Sequence, residues 1–473
     1  MHSSETSLEH AALSALRSGL VGEAITPVDQ AYGPARRVYN GMIDKRPALI
    51  VRCRGVADVQ AAVRFARDQA LPVAVRGGGH SVAGHGTCDG GVLVDLSPMR
   101  AVHVDPDVRT AWVQGGATLR DVDAETQVHG LAVPTGQVSA TGISGLTLGG
   151  GMGMLQRKYG LTCDNLLEAR LVGAAGELIT ASATENPELF WALRGGGGNF
   201  GVVTEFRFAL HPVGPLMLAG LVAWPVDEAV AVLEFLRDYI ADAPEEMSAD
   251  AIFQFAPPLD VIPVEFRGRQ VIGIFVRWCG DIEAGWHAVA PIRAFGAPML
   301  DFLNPMPLTA VQTILDPLNP AGNLHYWTAE FLPEMSRGAA EIVTKIGTGL
   351  PTRSSIIEVI PFNGAVTRVA PDATAFAHRT ESWLIHVLGQ WTDPSDTERC
   401  RGWAKQADAD LRSVGSGGDA YLNLIGDDET SERVEAFWDQ TRRSRLGAVK
   451  TAFDPDNVFR FNHNIAPAAG GRS

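Results

Sequence analysis

Residues 71–99 read LPVAVRGGGHSVAGHGTCDGGVLVDLSPM, and they constrain the fold more than any other part of the chain. A short apolar strand over 72–75 leads into Arg76-Gly77-Gly78-Gly79-His80-Ser81, and a second glycine cluster over 84–91 precedes a strand over 91–96. Three consecutive glycines carry no Cβ, so the backbone there can turn through positive φ and a ligand can approach closely. Their successive N–H groups suit a phosphate or pyrophosphate, with the charge of Arg76 at the edge. Taken alone, the same residues also fit an ordinary glycine turn with a loop histidine.

Two more glycine segments follow. The first runs from Pro134-Thr135-Gly136 through Thr141-Gly142-Ile143-Ser144-Gly145-Leu146 to Gly149-Gly150-Gly151-Met152-Gly153. So much glycine argues against a stable helix. The segment reads as backbone pressed against a flat ligand or as a flexible loop, although linker glycine normally comes with serine rather than Ile, Leu and Met. In the second, Gly196, Gly198 and Gly201 spell GxGxxG. A dinucleotide fingerprint should follow a strand and open a helix, whereas this one precedes the β-like run Val202, Val203, Thr204, so NAD binding is rejected.

The chain has 473 residues, enough for two or three domains, with 46% apolar and 20% charged content typical of a globular protein. No apolar run approaches the ~20 residues of a membrane span, and the first thirty residues show no secretory pattern. A net charge of −15 opposes nucleic acid as a partner. Five dispersed cysteines form neither a disulfide framework nor a zinc site, so the expectation is a reduced, cytoplasmic protein without metal.

Strands over 48–52, 101–104, 110–114 and 166–172, with helices over 56–69 and 117–129, follow a helix-rich lead-in over 1–40. The sequence His211-Pro212-Val213-Gly214-Pro215 marks a boundary, and 217–410 alternates long strands with helices. That pattern predicts an antiparallel sheet backed by helices, an α+β architecture. The expected division is 1–210, 211–419 as a substrate domain, and a closing segment over 420–473.

The motif Arg76-Gly77-Gly78-Gly79-His80-Ser81, with Gly90-Gly91-x-x-x-Asp95-Leu96-Ser97-x-Met99, resembles the flavin-attachment segment of berberine bridge enzyme-like oxidases, members of the vanillyl-alcohol oxidase superfamily with a PCMH-type FAD domain. The run Gly149-Gly150-Gly151-x-Gly153, then Tyr159-Gly160-Leu161 and Asp164-Asn165, resembles the second flavin segment of that family. The end of the chain, Tyr421-Leu422-Asn423 and Phe453-Asp454-Pro455-x-Asn457-x-Phe459-Arg460-x-Asn462-x-Asn464, resembles its C-terminal signature. The chain is also similar to enterocin-type flavoprotein oxygenases and 6-hydroxy-D-nicotine oxidases.

The resemblance implies FAD bound covalently through His80, with His85, Pro134, Gly136, Thr141, Gly142, Gly145, Leu146, Gly149, Gly150, Tyr159, Asp164, Gly198, Gly201, Val202, Val203, Asn423, Asn462 and Asn464 around it. Val138 stands where many members carry a second flavin-linking cysteine, and Cys163 belongs to another element, so one covalent bond is expected. Tyr421 is the expected base, or else a packing aromatic. The plant enzymes' glutamate aligns near Arg368, which cannot serve. Thr141, where the family tunes oxygen access, favours an oxidase releasing hydrogen peroxide. A dehydrogenase, an oxygenase and a non-catalytic flavin-binding protein are the alternatives. Phe253, Phe255, Phe275, Trp278, Tyr326, Trp327 and Trp391 are candidates for contact with a small natural-product substrate, or for core. A monomer and a homodimer are both open.

Overall fold

The computed structural model describes residues 9–258, 262–415, 420–426 and 428–468. The first eight residues of the expected lead-in, and parts of the expected closing segment, lie outside the described residues. The N-terminal part holds two large sheets and the small pair Leu131–Ala132 with His211–Pro212. In the first, the parallel strands Leu49–Arg52, Val92–Asp95 and Val73–Arg76 lie side by side, and Glu23–Ile25 joins antiparallel to Leu49–Arg52. Val59, Ala62, Val63 and Ala66 recur at helical spacing on the helix Val56–Asp68, and all four are fully buried against this sheet. The second sheet is antiparallel, in the order Val102–Asp105, Thr110–Gln114, Val202–Ala209, Leu166–Val172, Leu178–Ser182.

A third, eight-stranded antiparallel sheet carries the rest, with Met247–Phe255, Ile356–Phe362, Ser382–Trp391 and Leu324–Leu332 adjacent in that order. The helices Ala229–Asp242, Ile282–Ala294, Arg337–Thr348 and Thr397–Arg412 cover one face. Two of them start where a side chain caps the free backbone donors: Asp281 accepts from the Ala284 N–H at 3.0 Å and Ser336 from that of Ala339 at 3.2 Å. The α+β class expected from the alternation is thus the one observed.

Two expectations differ from the structure. The lead-in is not only helical, because Glu23–Ile25 extends the first sheet. The glycine-rich segment contains a short helix, Ile143–Leu148, with Gly145 inside it. Ile143 and Leu148 are buried, Thr147 Oγ1 donates to the Ile143 carbonyl at 2.7 Å, and Ser144 Oγ donates to the Gly115 carbonyl. Tertiary packing overrides the glycine penalty there.

The closing segment returns to the N-terminal part through the helix Gln440–Phe453. Lys450 and Asp454 are both fully buried; Lys450 Nζ donates to Asp454 at 2.6 Å and to the carbonyls of Asn199 and Phe459 at 2.7 and 3.0 Å. Asp454 also accepts from the Val458 and Phe459 N–H groups. Lys450→Met leaves this carboxylate buried without its cation, so a loss of about 3–5 kcal/mol is expected. Denaturant unfolding checks it; a variant as stable as the parent refutes it.

Candidate active site

One large cavity lies between the glycine loops and the bare face of the third sheet. Its floor is Arg76 to Ser81, His85, Gly136, Thr141, Gly142, Gly145, Leu146, Gly149, Gly198, Gly201 and Val203, all named by the sequence. Tyr421, Asn423, Asn462 and Trp327 also line it. The glycines do two jobs. A Cβ on Gly78 would stand 2.4 Å from the Gly142 N, and one on Gly142 2.3 Å from the Gly78 N, so the two loops touch backbone to backbone. At Gly145 a Cβ would meet no atom within 4 Å, because the space above it belongs to the cavity.

Arg76 differs from expectation. Its guanidinium grips buried Asp95, Nε to Oδ1 at 3.1 Å and Nη2 to Oδ2 at 2.6 Å, so its charge is spent on holding two strands together. His80 faces the cavity with its Nε2 buried and, among the described residues, without a hydrogen-bond partner, and burial pulls its pKa down to about 4, leaving a neutral imidazole at neutral pH. His85 packs edge-on against His463, 4.7 Å between centroids, and burial holds both below the usual imidazole range.

Tyr421 Oη accepts from the Gly151 N–H at 2.9 Å and from Asn423 Nδ2 at 3.2 Å. No cation is among its hydrogen-bond partners in the described residues, and burial raises its pKa far above the phenol value. Asn462 Nδ2 donates to the Gly198 carbonyl at 3.0 Å, while its Oδ1 is buried and has no partner among the described residues, an acceptor left for a ligand.

Other expected residues stand elsewhere. Tyr159 stacks on His211 at 4.0 Å. Asp164 takes both Arg379 nitrogens, at 2.9 and 2.7 Å. Pro134 and Val202 are buried outside the cavity lining, Gly150 packs against Phe376, and Asn464 is exposed. Phe253, Tyr326, Trp278 and Trp391 lie in the core beneath the helices, on the far side of the sheet. Phe275 is on the near side under Arg277, 4.6 Å away, and Phe255 lies by Arg353; neither lines the cavity. Side chains alternate across a strand, so one strand cannot offer neighbours such as Tyr326 and Trp327 to the same ligand.

The sheet's contribution is mostly residues that the sequence reading passed over: Ile252, Gln254, Ile356, Glu358, His386 and Leu388. Ile252, Glu358 and His386 stand directly opposite one another on three adjacent strands. His386 Nδ1 is 3.2 Å from Glu358 Oε2, and Trp327 packs edge-on against His386 at 5.1 Å. A signal was present, since Glu358 is the one charged residue of its strand and Gln254, Glu358 and His386 share a parity that matches across the sheet. Arg368, where a carboxylate was sought, sits on the surface in an ion pair with Glu245. A carboxylate does line the cavity, but on the strand Ile356–Phe362: Glu358, ten residues upstream.

Residues 47–182 match the family model described as FAD binding domain, and 420–466 the one described as Berberine and berberine like. The (R)-6-hydroxynicotine oxidase of Paenarthrobacter nicotinovorans is 32% identical over 458 residues, covering 94% of this chain and 97% of that protein. The chain belongs to the berberine-like FAD-linked oxidoreductases. The crystal structure of 6-hydroxy-D-nicotine oxidase from Arthrobacter nicotinovorans superposes with a TM-score of 0.85 at 30% identity, over 95% of this chain and 98% of the other. A glucooligosaccharide oxidase from Acremonium strictum, described with a 6-S-cysteinyl, 8α-N1-histidyl FAD, gives 0.82 at 26%, over 97% and 100%. This berberine-like protein is therefore an FAD-dependent oxidoreductase. Among the described residues no helix is long and apolar enough to cross a membrane, and no group of side chains suits a metal ion.

Proposed function

We propose that this chain is an oxidase that carries FAD on His80 and takes hydride from a small organic donor whose OH or NH proton goes to Glu358. The observation that carries this reading is the placing of a neutral His80 and the Glu358–His386 pair on the walls of one cavity. FAD, when bound there, supplies the two-electron acceptor, and dioxygen takes the electrons onward to give hydrogen peroxide.

The residues divide the remaining work. His386 Nδ1–H fixes Glu358 so that the carboxylate reaches the donor, which is the geometry a general base needs. Tyr421 is poorly suited to that role without a cation; its oxygen is already an acceptor twice over, so its own O–H is free to donate to a ligand. Val138 lines the cavity where a thiol would be required for a second bond, and Cys163 lies in the core, which supports attachment through His80 alone. The aliphatic residues Ile252, Ile356, Leu388, Leu315 and Leu318 favour an apolar natural-product scaffold over an oligosaccharide. Five free cysteines, four of them buried, agree with a cytoplasmic setting.

Acid precipitation of the purified protein tests the attachment. Yellow colour is expected to stay in the pellet and to map to the peptide containing His80, and candidate donors are expected to release peroxide. Flavin left wholly in the supernatant would overturn the covalent link.

A further inference from the structure

We propose that Tyr39, at the end of the lead-in segment, is the positioning residue that sets the His80 ring for bonding to the flavin. The proposal rests on His80 being the attachment site.

The Tyr39 ring lies face to face with His80, 3.8 Å between centroids and 15° between planes. Its other face covers His325, at 4.5 Å and 26°, making a three-ring stack. Trp327 closes the side of that stack, 6.1 Å from Tyr39 and 6.2 Å from His80. Stacking restrains the ring where Nε2 does not: among the described residues the buried Nε2 of His80 has no hydrogen-bond partner. An imidazole rotates broadly about its outer torsion unless something fixes it.

The backbone around Tyr39 is built to hold that ring still. Its N–H donates to the Gly79 carbonyl at 3.0 Å, immediately before His80, and its carbonyl accepts from the Gly322 N–H at 2.9 Å. Asn40 Nδ2 donates to the carbonyls of Val82 at 2.8 Å and His325 at 3.0 Å, and its Oδ1 accepts from the His325 N–H at 3.0 Å. Residues 39–40 therefore bolt the flavin loop to the substrate sheet on both sides of His80. The Tyr39 hydroxyl makes only a 3.5 Å contact to Asn319, so the ring, not the oxygen, is the working part.

Attachment joins a His80 ring nitrogen to the flavin 8α carbon. The imidazole gives up its N–H hydrogen and the methyl group one C–H hydrogen. The two protons and two electrons pass to dioxygen, which leaves as hydrogen peroxide. The nitrogen lone pair must point at the methyl carbon for the bond to form, so a ring free to turn reacts more slowly.

The test follows acid-stable flavin with time after FAD is added to full-length apoprotein made under riboflavin limitation. Tyr39→Phe keeps the ring and is expected to match the parent. Tyr39→Leu keeps apolar bulk without a plane to stack, and Tyr39→Ala removes both; each is expected to attach at least about tenfold more slowly at saturating FAD. Their affinity for FAD, read from fluorescence quenching, is expected to stay at the parental value. Attachment by the Leu variant at the parental rate overturns the proposal, as does a Phe variant as slow as Leu, or a Leu variant that has lost FAD affinity in proportion. If the Ala variant fails to fold, the Phe and Leu pair decides. Acid-stable flavin in His80→Ala, or none in the parent, overturns the attachment site itself and this proposal with it.

Discussion

Glu358→Gln is expected to lower kcat at least about a hundredfold with the flavin still in place, the ordinary scale for losing a general base. The glutamine amide is isosteric and can still meet His386 Nδ1 through its oxygen, so packing is preserved while proton affinity is lost. Reduction of the flavin by donor under anaerobic stopped flow reads the step directly. Tyr421→Phe provides the contrast. It deletes one donor to a ligand and frees the Gly151 N–H and Asn423 Nδ2, a loss of about 1–3 kcal/mol and so a smaller effect. A Phe variant that is inactive beside a nearly normal Gln variant would return the base to Tyr421.

Gly78→Ala is expected to yield protein with little or no flavin and a lower unfolding midpoint. Its Cβ would sit 2.4 Å from the Gly142 N and 2.5 Å from the Gly142 Cα, distances that backbone on either side cannot relieve without parting the two loops. Forced overpacking of this kind costs about 1–3 kcal/mol, and here it falls on the floor of the cofactor cavity. Gly145→Ala separates the two effects. Its Cβ enters open space over the cavity, so the unfolding midpoint is expected to hold while flavin occupancy falls. Parental flavin content in Gly145→Ala would show that the flavin does not lie over that helix.

Much of this arrangement was legible in the residues. Val59, Ala62, Val63 and Ala66 announce a helix, and the long strands and helices expected over 217–410 are the third sheet and the helices that cover it. The glycine loops were readable only together: Gly77-Gly78-Gly79 with His80 fits an ordinary turn, and the two later glycine segments made a ligand-facing role the better reading. What escaped was relative position. Arg76 looks like a free cation until Asp95, nineteen residues on, is seen to hold it. Aromatic bulk drew attention to Phe253 and Trp391, whereas the parity of each strand decides which side meets the cavity, and it chose Gln254, Glu358 and His386. Tyr39 carried no signal, since its value lies in contacts with residues 80 and 325.

The Lys450 cluster has a consequence for the order in which the protein is made. Lys450 fastens the carbonyl of Asn199 across 251 residues of chain, and Asn199 belongs to the glycine run along the cavity. At ordinary translation speed that interval takes on the order of ten to fifty seconds, far longer than an independent domain needs to fold. During it the first two sheets can form on the ribosome, but the cavity stays unfastened on one side. The glycine run along the cavity therefore gains this fastening only after the whole intervening sheet has been made.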